Sequence, residues 1–388
     1  MYKFNGYLRE DGTVGIRNHI LVLPMVICAN SVVEAIGREY PEVVTIPHVY
    51  GCTFDPVSNK EITKTFIGLG NNPNVSSVLL VSLGCETIDL NEVYEGIKAT
   101  GKTVEKIVIQ DLGGTVKATE KAREIIKKFI ELSKNVKRVE ASLSDLIFGT
   151  ECGASDSYSG LSANPVVGYV SDKLIESGST VILTELTECV GAEDILANQC
   201  ANEKVAEDLL KMIKETENNL ARVGTSNIVD ISPGNIAGGL TTIEEKSLGC
   251  IKKGGSTIIQ EVLEHGQKPS KKGLVVMDAP GHDIESMTAM AAGGAQLIYF
   301  TTGRGTPAGF PIVPVIKVCS NTDTFIKVND NMDINTGEVI EGIKSISEVG
   351  EELFDFTLRV IEGNETKSER HLCREFAIRR RGVNVCIL

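Results

Sequence analysis

Three cysteines of the 388-residue chain share one pattern, in which a glycine adjoins the thiol near the end of a predicted strand. Cys52 lies in PHVYGCTFD, Cys85 in LLVSLGCETID and Cys152 in FGTECGASD. An adjacent glycine lets the backbone approach a bulky inorganic ligand, and thiolates suit iron and iron–sulfur centres. The loops predict either a 4Fe-4S cluster with one open iron or a single Fe2+ with His48 as a nitrogen ligand. The alternative is three structural thiols at strand ends.

Acidic side chains form a second candidate group, again in loops that follow predicted strands. TELTECVGAED contains Glu185 and Glu188, and MDAPGHD contains His282 and Asp283. Carboxylates at strand ends can bind a metal, orient a histidine or bind sugar hydroxyls. Taken singly, each is more typical of a solvated or helix-capping acid. His282 is a candidate general base, because imidazole exchanges protons near neutral pH.

Cationic side chains next to glycine-rich loops form a third group. The segment SPGNIAGGLTTIEEKSLG (232–249) is typical of an anion-binding loop that leads into a helix. Within it, Lys246 could bind a substrate carboxylate or act as a base, although a lysine on a surface helix is the simpler interpretation. Arg304, between two glycines in TTGRGTP, suits bidentate carboxylate recognition. Arg17 and Asn18 precede the first long apolar strand and could act in the same way.

These loops need a scaffold of buried strands, which the apolar runs predict. The runs at 19–25, 43–49, 75–84, 104–111, 179–186, 272–280 and 295–303 are continuous rather than alternating, as in parallel sheets buried on both faces. Amphipathic segments at 118–134 and 202–222 predict helices between them. We therefore expect an α/β fold of two domains with mostly parallel sheets flanked by helices. Residues 1–140 would form a Rossmann-like first domain and residues 141–388 the catalytic domain.

Composition excludes several classes of protein. Lys and Arg number 39 against 52 Asp and Glu, and the net charge of −13 disfavours nucleic-acid binding. The apolar runs are too short to span a membrane, and the N-terminus lacks a secretory apolar region, so we expect a cytoplasmic protein. The ten cysteines would then be reduced, and the absence of a CxxC pair weighs against a thiol-redox enzyme.

Several long motifs resemble those of the altronate and galactarate dehydratase family, which includes the large subunit of sulfolactate sulfo-lyase. They include GYLREDGTVGIRN, LGCE, ECGASDSYSGLSANP, MDAPGHD, FTTGRGTP and MDINTGE, and they extend from about residue 5 to about residue 365. The resemblance implies an iron-dependent lyase that removes water from a 2-hydroxy acid and yields a 2-keto-3-deoxy acid. GRGTPAGF resembles the galactarate version, whereas VCSN, with Cys319, resembles the altronate and sulfo-lyase versions, so the substrate stays open.

The resemblance also implies partners. Single-chain members carry a small domain before GYLREDG, so we expect a separate small subunit to supply it and the large subunit to form a homo-oligomer. An alternative function is a sulfo-lyase subunit that releases sulfite. An alternative of another class is a non-catalytic α/β nucleotide-binding or scaffold protein.

The complete set of candidate residues falls into three roles. The predicted iron ligands are Cys52, Cys85, Cys152 and Cys319. The predicted catalytic residues are His282, Lys246 and His48. The predicted contacts to the hydroxy-acid substrate are Arg17, Asn18, Ser155, Asp156, Asn164, Glu185, Glu188, Asn235 and Arg304.

Overall fold

The computed structural model describes residues 2–52, 55–222 and 231–379, which form three β-sheets and the helices packed on them. The strands are β1 (Lys3–Leu8), β2 (Val14–Gly15), β3 (His19–Pro24), β4 (Val43–Thr45), β5 (Val75–Ser82), β6 (Thr103–Val108), β7 (Val139–Ser142), β8 (Ile147–Cys152), β9 (Thr180–Leu183), β10 (Ile259–Leu263), β11 (Gly273–Met277), β12 (Leu297–Thr302), β13 (Val315–Cys319) and β14 (Ile334–Asn335).

The α-helices are α1 (Asn30–Glu39), α2 (Pro56–Asn71), α3 (Leu90–Lys98), α4 (Ile109–Leu112), α5 (Thr115–Lys134), α6 (Ala163–Glu176), α7 (Glu193–Asn198), α8 (Glu203–Arg222), α9 (Pro233–Ala237), α10 (Ile243–Cys250), α11 (Asp283–Ala292), α12 (Thr322–Lys327), α13 (Gly337–Ile340), α14 (Ile346–Ile361) and α15 (Lys367–Arg370). Short 3₁₀ helices cover Ile27–Ala29, Leu143–Asp145, Leu186–Cys189, Ile251–Gly254 and Asn329–Asn331. Within the described ranges, no helix is both long enough and apolar enough to cross a membrane.

Two parallel sheets dominate the fold, and the predicted α/β class with helix-flanked parallel sheets is confirmed. One sheet has the order β4-β3-β5-β6, and the other has the order β10-β11-β9-β8-β12-β13-β14, with every pairing parallel. The central strands β8, β9, β11 and β12 are almost wholly buried, which explains their continuous apolar sequences. The Rossmann-like description of the first domain and the boundary near residue 140 stay predictions.

A small antiparallel sheet ties the N-terminus to the start of the second parallel sheet. Strand β1 pairs with β2 and with β7, and β7 directly precedes β8 in the chain. The helices of the first sheet pack on both of its faces. Helices α1 and α5 share an apolar cluster with one face, and α2 shares a cluster with the other face that continues into the second sheet.

Helix α2 lies between the two parallel sheets and runs parallel to α11. Near the start of α2, Arg379 binds both Glu61 of α2 and Asp278, which precedes α11. At the other end, Gly68 of α2 lies against Ala292, the last residue of α11. Both helices return from the carboxyl end of a parallel sheet, so the carboxyl ends of the two sheets lie at the same end of the molecule.

Two fully buried asparagines join the opposite ends of the sheets. Asn72 Nδ2 donates hydrogen bonds to the carbonyls of Ala291 (2.8 Å) and Ala295 (2.9 Å). Its Oδ1 accepts a hydrogen bond of 2.9 Å from the backbone N–H of Asn74. Each amide therefore replaces the water that the ends of buried strands would otherwise need.

We expect Asn74→Ala to lower the free energy of unfolding by about 3 kcal/mol or more, because buried backbone groups would lose their partners at about 1–3 kcal/mol each. Asn74 Nδ2 donates to the carbonyls of Gln296 and Ile312, both at 3.0 Å, and Oδ1 accepts from the N–H of Ile16 at 2.9 Å. The measurement is urea and thermal unfolding followed by circular dichroism.

The matched control is Asn135→Ala, because the exposed Asn135 makes a single side-chain hydrogen bond, to the carbonyl of Glu131. Equal unfolding midpoints for the two variants would contradict a structural role for Asn74.

Candidate active site and metal-binding group

The carboxyl ends of β8 and β9 carry a buried group of two thiols and two carboxylates. Cys152 is the last residue of β8, and Glu185 and Glu188 follow β9. Cys250 ends α10 and completes the group, and the four candidate ligand atoms all lie within 4.8 Å of one another. This is the edge at which ligands bind in open parallel sheets.

Hydrogen bonds connect the members of this Cys/Glu group. Cys152 Sγ donates to Glu188 Oε2 at 3.0 Å and to Glu185 Oε1 at 3.4 Å. The backbone N–H of Cys152 donates to Glu185 Oε2 at 3.1 Å. Glu185 has a φ of +68°, and Ala154, two residues beyond Cys152, has a φ of +51°. Left-handed backbone at residues other than glycine costs about 1–3 kcal/mol each and clusters at functional sites.

Two lysines balance the two carboxylates. Lys253 is fully buried and forms an ion pair with Glu185, and its Nζ also lies 3.2 Å from Cys250 Sγ. Lys246 forms an ion pair with Glu188, and its side chain is 15% exposed. Burial opposes charge on both lysines, but the attraction of Glu188 raises the pKa of Lys246. Around Lys253, Glu185 and Glu188 raise its pKa against the same penalty.

The charges of the group fit a divalent ion. The hydrogen bond with Cys250 and burial raise the pKa of Cys152 well above its usual range, and burial raises the pKa of Cys250 to about 11, so both thiols are neutral. Each carboxylate forms an ion pair with one lysine, so the charges of the group sum to zero. A dication that displaces two thiol protons keeps the sum at zero, as expected for metal binding coupled to proton release. Mixed thiolate and carboxylate donors suit a borderline first-row metal. The residues present therefore fit an iron ion in charge and donor type.

A narrow cavity borders this group on the side of Lys246. Its lining includes Cys152, Ser155, Asp156, Asn164 and Lys246, so the structure brings together residues that the sequence placed in separate motifs. Ser155 Oγ is buried and has no hydrogen-bond partner within the described ranges. That hydroxyl is available to a polar ligand in the cavity.

Two other residues of the cavity wall hold its shape. Asp156 Oδ1 accepts hydrogen bonds from the hydroxyls of Ser159 and Ser320, both at 2.8 Å. Asn164 Nδ2 donates to the carbonyl of Gly249 at 3.0 Å, which attaches the wall to α10. The predicted substrate contacts of Asp156 and Asn164 stay predictions.

The predicted residues Asn235, Arg304 and His282 lie around the same end of the sheet. Asn235 Nδ2 donates to the carbonyl of Ser155 at 3.0 Å. Arg304 is exposed, and its Nη1 donates to the carbonyl of Gly234 at 2.8 Å. His282 is exposed immediately before α11.

Three predicted site residues have polar partners within the protein. The five N–H groups of Arg17 are all used, by the carboxylate of Glu369 and by three backbone carbonyls. Asn18 accepts a hydrogen bond from Arg9 and donates one to Ser133. The predicted contacts of Arg17 and Asn18 with substrate stay predictions, and they would require these hydrogen bonds to be exchanged.

His48 also has polar partners within the protein. Its Nε2 lies 2.6 Å from the carbonyl oxygen of Pro24, and its Nδ1 accepts a hydrogen bond of 3.1 Å from the N–H of Tyr50. Burial lowers the pKa of His48 to about 4. Both ring nitrogens are engaged, and the predictions that His48 is catalytic or an iron ligand stay predictions.

The predicted cysteine set is divided between sites. Cys152 is the only one of the four predicted cysteines in the Cys/Glu group of the described chain. Cys319 is buried, and its thiol donates to the carbonyl of Asn321. Cys52 and Cys85 are exposed at the first sheet.

Cys250 and Lys253 were not among the site residues predicted from the sequence. A signal for Cys250 was present, because SLGC (247–250) repeats the SLGC that contains Cys85. Lys253 lies in KKGG, which carries no chemical motif. Its role follows from the short 3₁₀ helix Ile251–Gly254, which directs the ammonium group inwards to Glu185.

We expect Cys250→Ser and Cys152→Ser each to lower the iron bound per chain, because each removes a thiolate from the Cys/Glu group. The measurement is metal content after loading the protein anaerobically with Fe2+ and removing free metal. Cys200→Ser is the matched control, since the Cys200 thiol donates to the carbonyl of Leu196, away from the group. Unchanged iron in the Cys250 variant would remove that residue from the ligand set.

We expect Lys253→Met to lower the free energy of unfolding by about 3–5 kcal/mol, because it leaves the buried Glu185 carboxylate without its counter-charge. Adding Glu185→Gln should recover much of the loss, since no buried charge then remains unpaired. Unfolding curves of the single and double variants provide the measurement. Lys252→Met, at the exposed neighbouring position, is the control. If the two substitutions changed the free energy of unfolding additively in the double variant, Lys253 and Glu185 would not be energetically coupled.

Comparison with known proteins gives a consistent relationship over the whole chain. Residues 143–384 match the family model for the C-terminal domain of D-galactarate/altronate dehydratase, and residues 6–134 match the second domain of D-galactarate dehydratase/altronate hydrolase. A (2R)-sulfolactate sulfo-lyase subunit beta from Chromohalobacter salexigens is 37% identical over 97% of each chain.

Two other relatives are named dehydratases. An altronate dehydratase from Escherichia coli is 33% identical over 98% of this chain and 78% of its own length. The galactarate dehydratase (L-threo-forming) of the same organism is 34% identical over 94% of this chain and 73% of its own length. The chain therefore belongs to the galactarate/altronate dehydratase family.

Proposed function

We propose that the chain is the catalytic subunit of an iron-dependent lyase that removes water from a sugar acid or related 2-hydroxy acid and yields a 2-keto-3-deoxy acid. The observation that carries the proposal is the buried Cys/Glu group with its two lysines, which borders a cavity lined by hydroxyl and amide side chains. Membership of the dehydratase family supports the reaction class, and the relatives named altronate and galactarate dehydratase support a substrate of that type.

The difficult step is removal of the proton next to a carboxylate, because negative charge develops on that carboxylate in the transition state. A fixed cation stabilises this charge most strongly where water is excluded. The ammonium group of Lys246 lies at the cavity and is held by Glu188, so it does not have to move during the reaction. Ser155 Oγ is the neighbouring unpaired donor.

Iron bound by Cys152, Cys250, Glu185 and Glu188 would supply Lewis-acid assistance to the developing charge and to departure of the β-hydroxyl. Glu185 and Glu188 reach this position from the turn after β9, and Cys250 reaches it from the end of α10. The protein's part is to hold these donors together and to keep the pair of lysines beside them.

His282 is the better placed of the two candidate bases. Lys246 is held as an ammonium in its ion pair, so it serves better as a positive charge than as a proton acceptor. His282 lies at the N-terminus of α11, and Asp283 of that helix lies against Gly153, next to Cys152. An imidazole at this position can accept a proton from a substrate that enters from solvent.

Release of sulfite from sulfolactate is a second candidate function. It is favoured by the relative named (2R)-sulfolactate sulfo-lyase subunit beta, with which the match covers 97% of both chains. The same base and cations could catalyse this elimination, because sulfite, like water in the dehydration, leaves from the carbon next to the one that loses its proton. The word subunit in that name also supports a separate small subunit as partner, and self-association of the large chain is part of the proposal.

The test incubates the iron-loaded protein anaerobically with altronate, galactarate or sulfolactate, with and without the proposed small subunit, to be sought among the proteins encoded beside its gene. Formation of a 2-keto-3-deoxy acid supports dehydration, and release of sulfite instead replaces it with the second candidate. Size-exclusion chromatography with light scattering measures the assembly. No product from any of the three acids in the presence of the partner would favour a non-catalytic protein.

We expect His282→Gln to lower kcat by about 10²–10⁴-fold, the usual contribution of a general base. Lys246→Gln should raise KM and lower kcat together, because the ammonium group attracts the substrate carboxylate when it binds and stabilises its growing negative charge in the transition state. Steady-state kinetics and iron content of each variant provide the measurement. His371→Gln is the control, since the exposed His371 lies at the carbonyl of Asp330. Near wild-type kcat in the His282 variant would assign the base elsewhere.

A further inference from the structure

Three exposed cysteines follow adjacent strands at the carboxyl end of the first parallel sheet. Cys28 follows β3, Cys52 follows β4 and Cys85 follows β5, and these three strands are neighbours in the order β4-β3-β5. Among the cysteines of the described residues, these three are the exposed ones, whereas Cys152 and Cys250 are buried. We call Cys28, Cys52 and Cys85 the cysteine rim.

The exposure of the cysteine rim needs a reason, because free cysteine is among the residues most often buried. In the described part of the chain, none of the three thiols has a hydrogen-bond partner, although the surrounding backbone is well connected. Three exposed thiols that follow adjacent strands, and that have no partner among the described residues, favour a soft inorganic ligand over a packing role.

Backbone hydrogen bonds hold the three loops against one another. The N–H of Ile27, next to Cys28, donates to the carbonyl of Tyr50 at 2.9 Å. The carbonyl of Gly51, next to Cys52, accepts from the N–H and the hydroxyl of Thr87 at 3.0 and 3.1 Å. The loops therefore form a fixed rim and are not independent surface turns.

Gly51 shows how closely the loops pack. Its φ is +102°, and a Cβ atom at this position would lie 2.2 Å from the carbonyl oxygen of Met25. Only glycine fits between the Cys28 turn and the Cys85 loop. Gly84, directly before Cys85, also has a left-handed φ of +120°, and its N–H donates to Glu86 at 2.8 Å.

The spacing of the rim sulfurs excludes one kind of ligand. A single tetrahedral ion bound at about 2.3 Å would bring thiolate sulfurs to about 4 Å from one another. The three sulfurs do not all lie within 4.8 Å, because the Cys/Glu group alone meets that distance among the described residues. An iron–sulfur cluster places each thiolate on a different iron and so bridges a wider triangle.

We propose that Cys28, Cys52 and Cys85 bind an iron–sulfur cluster of the four-iron type, separate from the Cys/Glu group, with one iron left without a thiolate. Binding consumes no redox equivalents in the protein: each thiol loses its proton and forms one bond to iron. Cys28 thus takes the place that sequence analysis assigned to Cys152. The cluster faces the same end of the molecule as the Cys/Glu group, because α2 and α11 run in parallel from that end.

The test measures iron and acid-labile sulfide in the full chain after anaerobic reconstitution with Fe3+, sulfide and an excess of a dithiol, which supplies the electrons that reduce part of the iron. Wild-type protein should retain both iron and sulfide, with the visible absorption of a cluster and, after reduction with dithionite, its low-temperature EPR signal. Cys28→Ser, Cys52→Ser and Cys85→Ser should each lose most of the sulfide. Cys250→Ser should keep the sulfide and lose only iron of the Cys/Glu group, and Cys200→Ser should behave as wild type.

The sulfide measurement tests the cluster independently of the proposed function, because it needs no substrate and no enzymatic activity. Absence of acid-labile sulfide from reconstituted wild type, or full retention of it in Cys28→Ser, would overturn the cluster. Equal sulfide loss in Cys28→Ser and Cys250→Ser would also overturn it, since the two sites would then be one.

A measurement on the wild-type protein tests the proposal even if the cysteine variants fail to fold. Alkylation followed by mass spectrometry should modify the three rim cysteines readily before reconstitution and much less after it. Equal modification in the two states would overturn the proposal.

Discussion

Neutralisation of buried charge at the carboxyl ends of β8 and β9 is the constraint on which the candidate site depends. Two glutamates side by side away from water would repel each other and lose several kcal/mol of solvation, so each needs a cation in contact. Lys253 and Lys246 supply those cations from the end of the long segment that connects β9 to β10. The same constraint sets the position of α10, which must lie so close to the glutamates that its Gly249 packs against Gly160.

The alignment of the two sheets is the second constraint, and it explains why all candidate chemistry lies at one end of the molecule. Asn72 and Asn74 satisfy backbone groups at the opposite end, where strands start. Helix α2 is shared by both apolar cores and runs parallel to α11. Shifts of one sheet against the other would break buried hydrogen bonds that water cannot replace, so the cysteine rim and the Cys/Glu group keep their relative position.

Much of the fold was predictable because parallel strands buried on both faces have continuous apolar sequences. The runs around β3, β5, β9, β11 and β12 all form strands, and polar motifs directly after them became the candidate site. Cys152, Glu185, Glu188 and Lys246 were found in three separate motifs and meet in space. The partners of Arg17 and His48 could not be predicted, because they include backbone carbonyls that the fold brings to these side chains.

The sequence by itself determined the α/β class, the family and the loops that carry reactive side chains. The tertiary structure alone decided which of those loops meet. Strand order places β8 between β9 and β12, and Cys152 meets Cys250 and the glutamates there, while Cys28, Cys52 and Cys85 follow adjacent strands of the other sheet. The physical reason is that local propensity determines where a strand ends, whereas long-range pairing and burial determine which strand lies beside it.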